Sequence, residues 1–378
     1  MSLKRRILSN GRMNEKTSEN TVDHGLVVII LALLAFGLVM VFSASSASAH
    51  YIQGDATYFF KRQFLWAVLG LISMFVVSRI PYKIFYKYTL HIFAVTIILL
   101  LLVLVAGREI NGAKRWLGIG SAVFQPSEIA KLAIVLFLAK LISLNPDSIY
   151  KFKNGFLIYM CIIVFVAAIV LLEPHMSGAM VIGFVGCAIL FVAGYKIRYF
   201  VLMGSCALPA VLALAVFSPY RFKRVLSFLH PFEDKLGDSW QIVQSLYAIG
   251  SGGLFGLGLG QSRQKFLYIP EPQTDFIFSI ICEELGFIGA MLVIVLFALL
   301  IWKGILIARK APDTFSSLTV AGVTALVAIQ VILNIAVVTS TMPVTGIPLP
   351  FFSYGGTSLM ILLTEMGIVL NVSRYTSK

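Results

Sequence analysis

The chain has 378 residues, of which 59% are hydrophobic and 12% are charged. A soluble domain carries roughly 25% charged residues, so this composition excludes an ordinary soluble enzyme and a disordered chain. The net charge of +13 would suggest nucleic acid in a soluble protein, but here the charges lie between apolar runs. We therefore expect a membrane protein with no nucleic-acid partner, in which basic residues set the topology and attract anionic lipids.

Ten apolar runs are each long enough to cross a hydrocarbon core of about 30 Å. The sequence therefore predicts an all-α polytopic membrane protein of about ten transmembrane helices, with one membrane domain at 25–372 and short tails at 1–24 and 373–378. The predicted spans are 25–43, 64–80, 89–106, 128–144, 155–172, 177–193, 199–217, 276–302, 316–339 and 354–371.

The distribution of basic residues predicts the topology. An even number of spans places both termini on one side. If that side is the cytoplasm, the inside segments hold 18 Lys and Arg residues and the short outside loops hold 5, as the positive-inside rule requires. Residues 218–275 then form a long extracytoplasmic loop between spans seven and eight, and 240–249 within it are predicted to form an amphipathic helix at the membrane surface.

Three cations stand out because they lie in a predicted outside loop, against the positive-inside trend. These are Arg108, Lys114 and Arg115. They are either part of a solvated loop or a site for an anionic head group such as a phosphate or a pyrophosphate.

Pro126 lies just before span four, and Glu128 and Lys131 lie at its start. Proline suits a first helical turn, and residues three apart share a helix face. The two charges are therefore either a local ion pair in a capped helix or a functional pair at the membrane edge, where charge is costly.

The remaining polar motifs also allow two interpretations. Glu173 is either a cap or a site residue between spans five and six, and His175 alone does not indicate a metal. Thr274 or Asp275 could cap span eight, but a carboxylate at the membrane surface could equally act as a general base.

The glycine-rich run 250–260 is typical of a close-packed or re-entrant turn rather than a nucleotide loop. The proline-rich run 343–356 cannot be a regular helix, so we expect it to shape a cavity wall.

At these motifs the chain resembles the SEDS family (shape, elongation, division and sporulation) of RodA/FtsW/SpoVE-type peptidoglycan glycosyltransferases. The residues that carry the resemblance are 111–117, 125–131, 270–278, 283–286 and 346–356. The segment 258–265 favours the division and sporulation branch. Two positions depart from common family patterns, His175 where many members have Asp and Thr345 where some have Lys, and neither receives a role.

The resemblance implies polymerisation of lipid II outside the membrane, with Asp275 as the essential loop aspartate and Glu128 and Lys131 as an acid–base pair. An inverting transfer needs a base for the acceptor hydroxyl and positive charge for the departing pyrophosphate. Mg²⁺ or Mn²⁺ is a possible addition. The expected substrate-binding residues are Arg108, Lys114, Arg115, Glu173, Glu271 and Thr274, with the loop cations Arg221, Lys223 and Arg224 as further candidates.

The family also implies a class B penicillin-binding protein (a transpeptidase) as partner, other division or sporulation proteins, and a place in the bacterial cytoplasmic membrane at the septum. The alternative functions are a lipid II flippase and a scaffold for division proteins. A transporter places ionisable groups near the midplane. Here only Glu365, Gln330 and Asn334 are predicted to lie deep, so the sequence favours surface chemistry.

Overall fold

The computed structural model describes residues 21–110, 113–119, 122–205, 228, 231–232 and 239–376. The helices are α1 (His24–Gln53), α2 (Tyr58–Arg79), α3 (Tyr82–Ala106), α4 (Pro126–Leu144), α5 (Ile158–Leu172), α6 (Met176–Ala193), α7 (Trp240–Ser251), α8 (Ile277–Lys310), α9 (Thr314–Val338) and α10 (Gly356–Ser373). A 3₁₀ turn (Pro146–Tyr150) and a π-helical turn (Phe152–Leu157) lead into α5, and residues 197–205 are also helical.

The prediction of a polytopic helical membrane protein is confirmed. Nine predicted spans coincide with these helices, whereas the seventh, at 199–217, lies partly outside the described residues. Within the described part of the chain, eight helical segments are long and apolar enough to cross a membrane. α4, which carries three charged residues, is not among them.

The predicted loop at 218–275 is described mainly from residue 239 onward. Its amphipathic segment forms α7, in which Ile242, Val243 and Ala248 are buried. The hydroxyl of Ser245 in α7 donates a hydrogen bond to the carbonyl of Val338 and accepts one from the hydroxyl of Ser279 in α8, each at 2.7 Å. The second half of this loop is therefore attached to the helix bundle.

A small antiparallel sheet that the sequence did not predict joins α3 to α4. Its strands are β1 (Arg108–Ile110), β2 (Ala113–Ile119) and β3 (Ala122–Phe124), in the order β1-β2-β3. In the first pair Glu109 lies opposite Lys114, so opposite charges face each other across the strands. The sheet fixes the direction from which the chain enters α4.

The glycine-rich run 250–260 packs against a break in α8. Gly286 has φ +64° and ψ −162°, a conformation that only glycine adopts readily, so the helix is interrupted there. Four backbone hydrogen bonds of 2.9 to 3.2 Å join residues 253–258 to residues 283–288 across the break. The interpretation as a close-packed turn is confirmed, and the break explains why these glycines are needed.

A buried charged network fixes the next part of this loop. The ammonium of Lys265 lies 3.1 Å from a carboxylate oxygen of Glu284, and both side chains are almost fully buried. The other oxygen of Glu284 accepts a hydrogen bond from Ser43 of α1 at 2.6 Å. Neighbouring Glu283 accepts hydrogen bonds from the backbone amides of 263 and 264. The chain leading to residues 271–275 is thereby attached to both α8 and α1.

Candidate functional site

The loop before α8 is bonded to the proline-rich segment 343–356. The backbone amide of Tyr354 donates to the carbonyl of Gln273 at 2.7 Å. The hydroxyl of Ser353 donates to the carbonyl of Thr274, also at 2.7 Å. Two motifs that are almost 80 residues apart thus form one surface at the end of the bundle where α8 and α10 begin.

The carboxyl group of Asp275 is partly buried between its own loop and this segment. A Cβ at Gly346 would lie 3.1 Å from Oδ2 of Asp275, so the glycine leaves the carboxyl group its space. Burial, together with the nearby charge of Glu271, raises the pKa of Asp275 to about 6. No hydrogen bond contributes to this shift. Such a carboxyl group is a stronger base than an ordinary aspartate.

Capping does not account for Asp275. α8 begins at Ile277 with Phe276 as its N-cap, and no side chain caps its first turn. The hydroxyl and the amide of Thr274 both donate to the carbonyl of Glu271, at 2.7 and 3.0 Å, in a tight turn. The hypothesis that Thr274 or Asp275 caps span eight is therefore wrong.

Glu128 and Lys131 form a buried ion pair in the first turns of α4. Their charged atoms are 2.7 Å apart and both side chains are almost inaccessible. Pro126 occupies the first turn, as the sequence predicts. Glu365 of α10 is buried within electrostatic range of both charges. The cluster thus holds two carboxyl groups and one ammonium group.

The turn between α5 and α6 packs against the start of α4 and against the proline-rich segment. Nδ1 of His175 lies 3.1 Å from both the amide nitrogen of Gln125 and the hydroxyl of Ser127. Burial, together with the charges of Arg115 and Lys131, lowers the pKa of His175 to about 3. The ring is therefore neutral and accepts hydrogen bonds at Nδ1. This gives His175, unassigned from the sequence, a structural role.

Glu173 lies in the same turn and is fully buried. Neither of its carboxyl oxygens has a hydrogen-bond partner. Burial raises the pKa of Glu173, and because the charge of Arg115 offsets this only in part, the resulting pKa is about 8. Arg115 itself donates a hydrogen bond to the carbonyl of Pro174. Glu173 is thus held protonated at neutral pH next to a cation of the sheet.

The cations of the outer loop lie on the sheet. Lys114 is exposed and Arg115 is half-buried. A cavity of about 330 Å³ lies between the sheet and the helix ends, lined by Leu104, Glu109, Ala113, Lys114, Leu172 and Pro174. The loop cations Arg221, Lys223 and Arg224 lie outside the described residues.

The structure brings most of the expected site residues to one end of the bundle. The hydroxyl of Ser177, just after the Glu173 turn, donates to the carbonyl of Thr345, and a Cβ added at the next residue, Gly346, would lie 3.1 Å from the carboxyl group of Asp275. The charge of Arg115 lowers the pKa of both Glu173 and His175. It is not among the charges that shift the pKa of Asp275. Within the described part of the chain, no group of three or more His, Cys, Asp or Glu side chains could hold a metal ion.

Comparison with known proteins identifies the family. The model of the family described as "Cell cycle protein" (FtsW, RodA, SpoVE) matches residues 24–378. Stage V sporulation protein E of Bacillus subtilis is 46% identical over 95% of this chain and 99% of its own length. The probable peptidoglycan glycosyltransferase FtsW of Trichlorobacter lovleyi is 42% identical over 93% of both chains. The chain belongs to the FtsW/RodA/SpoVE family.

Solved structures agree with this assignment. A chain from a study entitled "Structural coordination of polymerization and crosslinking by a peptidoglycan synthase complex" superposes with a TM-score of 0.78. It is 33% identical and covers 93% of this chain and 98% of its own. The rod shape determining protein RodA of Thermus thermophilus gives a TM-score of 0.70 at 29% identity, covering 94% of this chain and 98% of its own. The FtsW/RodA/SpoVE fold therefore extends over most of this chain.

Two contacts of this family member were not predicted from its sequence. Asn334 and Glu365 were noted only as deep polar residues. In the structure Glu365 adjoins the Glu128–Lys131 pair, and Asn334 binds the loop that carries Asp275. Their signal was the rarity of amide and carboxyl groups in apolar spans, which marks a residue as unusual but does not identify its partner.

Proposed function

We propose that the chain is a peptidoglycan glycosyltransferase that polymerises lipid II into glycan strands, with Asp275 as the general base. In this reaction a sugar hydroxyl attacks an anomeric carbon whose leaving group is a polyprenyl pyrophosphate. The carboxylate takes the hydroxyl proton as the new glycosidic bond forms. The bond to the pyrophosphate breaks on the opposite face, so the configuration inverts.

The carboxyl group of Asp275 is the observation that carries this proposal. It caps no helix, it lies beside a glycine that leaves it room, and its pKa is raised to about 6. At neutral pH such a group is mostly ionised but more basic than a free aspartate, as a general base should be. Names of relatives such as the FtsW protein of Trichlorobacter lovleyi point to the same activity.

The outer cations are suited to the leaving group. Lys114 borders the cavity beside the sheet, and Arg115 lies against the Glu173 turn. Ammonium and guanidinium groups stabilise the charge that develops on a departing pyrophosphate. We assign the role of binding substrate to these residues together with Arg108, Glu173, Glu271 and Thr274. The described residues offer no metal-binding group of three, so we derive no step through Mg²⁺ or Mn²⁺.

The buried pair of Glu128 and Lys131 supports the same site from within the bundle. Lys131 interacts electrostatically with His175, whose ring is bonded to the first turn of α4. We assign the pair an acid–base role in which Glu128 fixes the position of the Lys131 ammonium. The ammonium can then offset negative charge on bound substrate.

A lipid II flippase remains the second candidate, because one observation favours it. Glu128, Lys131 and Glu365 form a charged cluster inside the bundle, and buried ionisable groups are typical of transport pathways. One experiment distinguishes the two functions. Purified protein in detergent, where no membrane needs to be crossed, converts lipid II into glycan strands if it is a polymerase and leaves it unchanged if it is only a flippase.

We further propose a class B penicillin-binding protein as the partner, and the septal cytoplasmic membrane as the location, with both termini in the cytoplasm. A structural relative at TM-score 0.78 comes from a study of a peptidoglycan synthase complex. The polymerisation assay is therefore run with and without a co-purified transpeptidase, and we expect the partner to increase the rate.

A further inference from the structure

We propose that Asn334 is a positioning residue that sets the orientation of Asp275, an inference that rests on the polymerase function proposed above. Asn334 lies near the end of α9 and is 1% exposed. Its side-chain nitrogen donates to the carbonyl of Asp275 and to the carbonyl of Ile347, each at 2.8 Å.

These two carbonyls belong to the two walls around the Asp275 carboxyl group. One is the backbone of Asp275 itself. The other directly follows Gly346, where an added Cβ would lie 3.1 Å from Oδ2 of Asp275. A single amide on a regular helix thus fixes the distance between the loop at 271–275 and the segment at 343–356.

Asparagine suits this position because of its hydrogen-bonding groups. Its amide has two N–H donors, and each meets one carbonyl. Both partners are acceptors, so the nitrogen must face them and the orientation of the amide is fixed. Its oxygen is buried without a hydrogen-bond partner. An unpaired buried oxygen is costly, so the contribution that the structure shows for this side chain is its two donated hydrogen bonds.

The other bonds between the two segments do not replace Asn334. Ser353 and the amide of Tyr354 bind the carbonyls of Thr274 and Gln273. Asn334 alone, among the described hydrogen bonds, reaches the carbonyl of Asp275. Its loss therefore allows Asp275 to shift while the rest of the loop stays attached.

The test compares two buried asparagines in the purified full-length chain with its transpeptidase partner. Asn371 of α10 is also fully buried, donates to the carbonyl of Ser78 at 2.8 Å, and has an unpaired oxygen. Asn334→Ala and Asn371→Ala thus remove the same groups at two places. Thermal unfolding is measured alongside lipid II polymerisation, with kcat, KM and the pH profile determined for each variant.

We expect kcat of Asn334→Ala to fall about 10²-fold, the effect of misplacing a catalytic group by about 1 Å. The acid limb of its pH profile should move to lower pH, because a loosened loop exposes the Asp275 carboxyl group, and Glu271 is the charged neighbour that remains. Asn371→Ala should lose stability but keep both kcat and the pH profile. If Asn334→Ala does not fold, Asn334→Ser retains one donor and should show an intermediate kcat.

Failure of the proposed function and failure of the inference about Asn334 would give different results. If the wild-type complex does not polymerise lipid II, the proposed function is wrong. If it does, but both asparagine variants lose stability alike and keep the wild-type kcat and pH profile, then Asn334 is structural and the inference is overturned.

Discussion

Gly346 lies so near Asp275 that a methyl group added at this glycine would lie 3.1 Å from Oδ2 of the carboxyl group. The backbone of Gly346 is left-handed, with φ +69°. One residue of the proline-rich segment therefore limits where the carboxyl group can lie. This contact joins two motifs that lie far apart in the chain.

Replacement of this glycine should reduce polymerisation more than it reduces stability. In Gly346→Ala the methyl group displaces the Asp275 carboxyl group, and the left-handed backbone adds strain of about 1–3 kcal/mol. Gly194→Ala is the matched control, because Gly194 has φ +100° but no atom within 4 Å of the added Cβ. Both variants should show a lower unfolding temperature, whereas only Gly346→Ala should lose activity by about tenfold or more. Equal activity in both would mean that the contact has no functional role.

The pH dependence of polymerisation should have an acid limb with a midpoint near pH 6. The pKa of Asp275 is raised to about 6, and a base works only when ionised, so activity falls as the pH falls through this value. Glu271→Gln removes the repulsive charge that helps to raise the pKa, and the limb should move to lower pH. An unchanged limb in Glu271→Gln would show that another group sets it. An increase in KM would support the substrate-binding role of Glu271.

The buried charges on α4 should respond unequally to mutation. Lys131→Ala leaves Glu128 and Glu365 facing each other without a cation, whereas Glu128→Ala leaves Lys131 with Glu365 as a partner. Breaking a buried pair costs about 3–5 kcal/mol. We therefore expect Lys131→Ala to lower the unfolding temperature more than Glu128→Ala, measured on purified protein in the same detergent. A lower unfolding temperature for Glu128→Ala than for Lys131→Ala would show that Glu365 does not act as a partner of Lys131.

The double variant Glu128→Gln/Lys131→Gln provides the control for this pair. It removes both charges together and should unfold closer to wild type than Lys131→Ala does. Its activity should nevertheless be low if the pair acts on substrate. Full activity in both single alanine variants would mean that the pair is incidental.

The predicted topology can be tested by cysteine labelling. In a background without native cysteines, a cysteine placed within 225–240 should react with an impermeant thiol reagent added outside intact cells. A cysteine placed within 311–315, between α8 and α9, should not. This outcome follows from 18 basic residues in the predicted inside segments against 5 in the short outside loops. The opposite labelling pattern would reverse the assigned orientation.

The sequence predicted the features that depend on local spacing. Apolar runs predicted the helices because bilayer thickness sets their length, and the i,i+3 spacing of Glu128 and Lys131 predicted their pairing. It did not predict contacts between distant segments. The sheet at 108–124, the break at Gly286 and the bonds of Asn334 each depend on partners elsewhere in the chain. Hydrophobic periodicity carries no information about such partners.

The capping hypothesis shows why residue type alone was not enough. Thr274 and Asp275 are both good N-cap residues, but the chain turns so that α8 begins one residue later, after Phe276. The carbonyls of the two residues before Asp275 accept hydrogen bonds from Ser353 and from the amide of Tyr354, which lie far along the chain. This arrangement could not be read from the sequence around Asp275.

Lipid II polymerisation by purified Asp275→Asn, assayed with its transpeptidase partner beside the wild-type complex, tests the central claim most directly. Asparagine keeps the size of the side chain but removes the basic carboxylate. The account predicts a folded variant that still binds the transpeptidase, with polymerisation reduced by the roughly 10²- to 10⁴-fold expected when a general base is lost. Glycan synthesis near the wild-type rate by folded Asp275→Asn would contradict the assignment of Asp275 as the base.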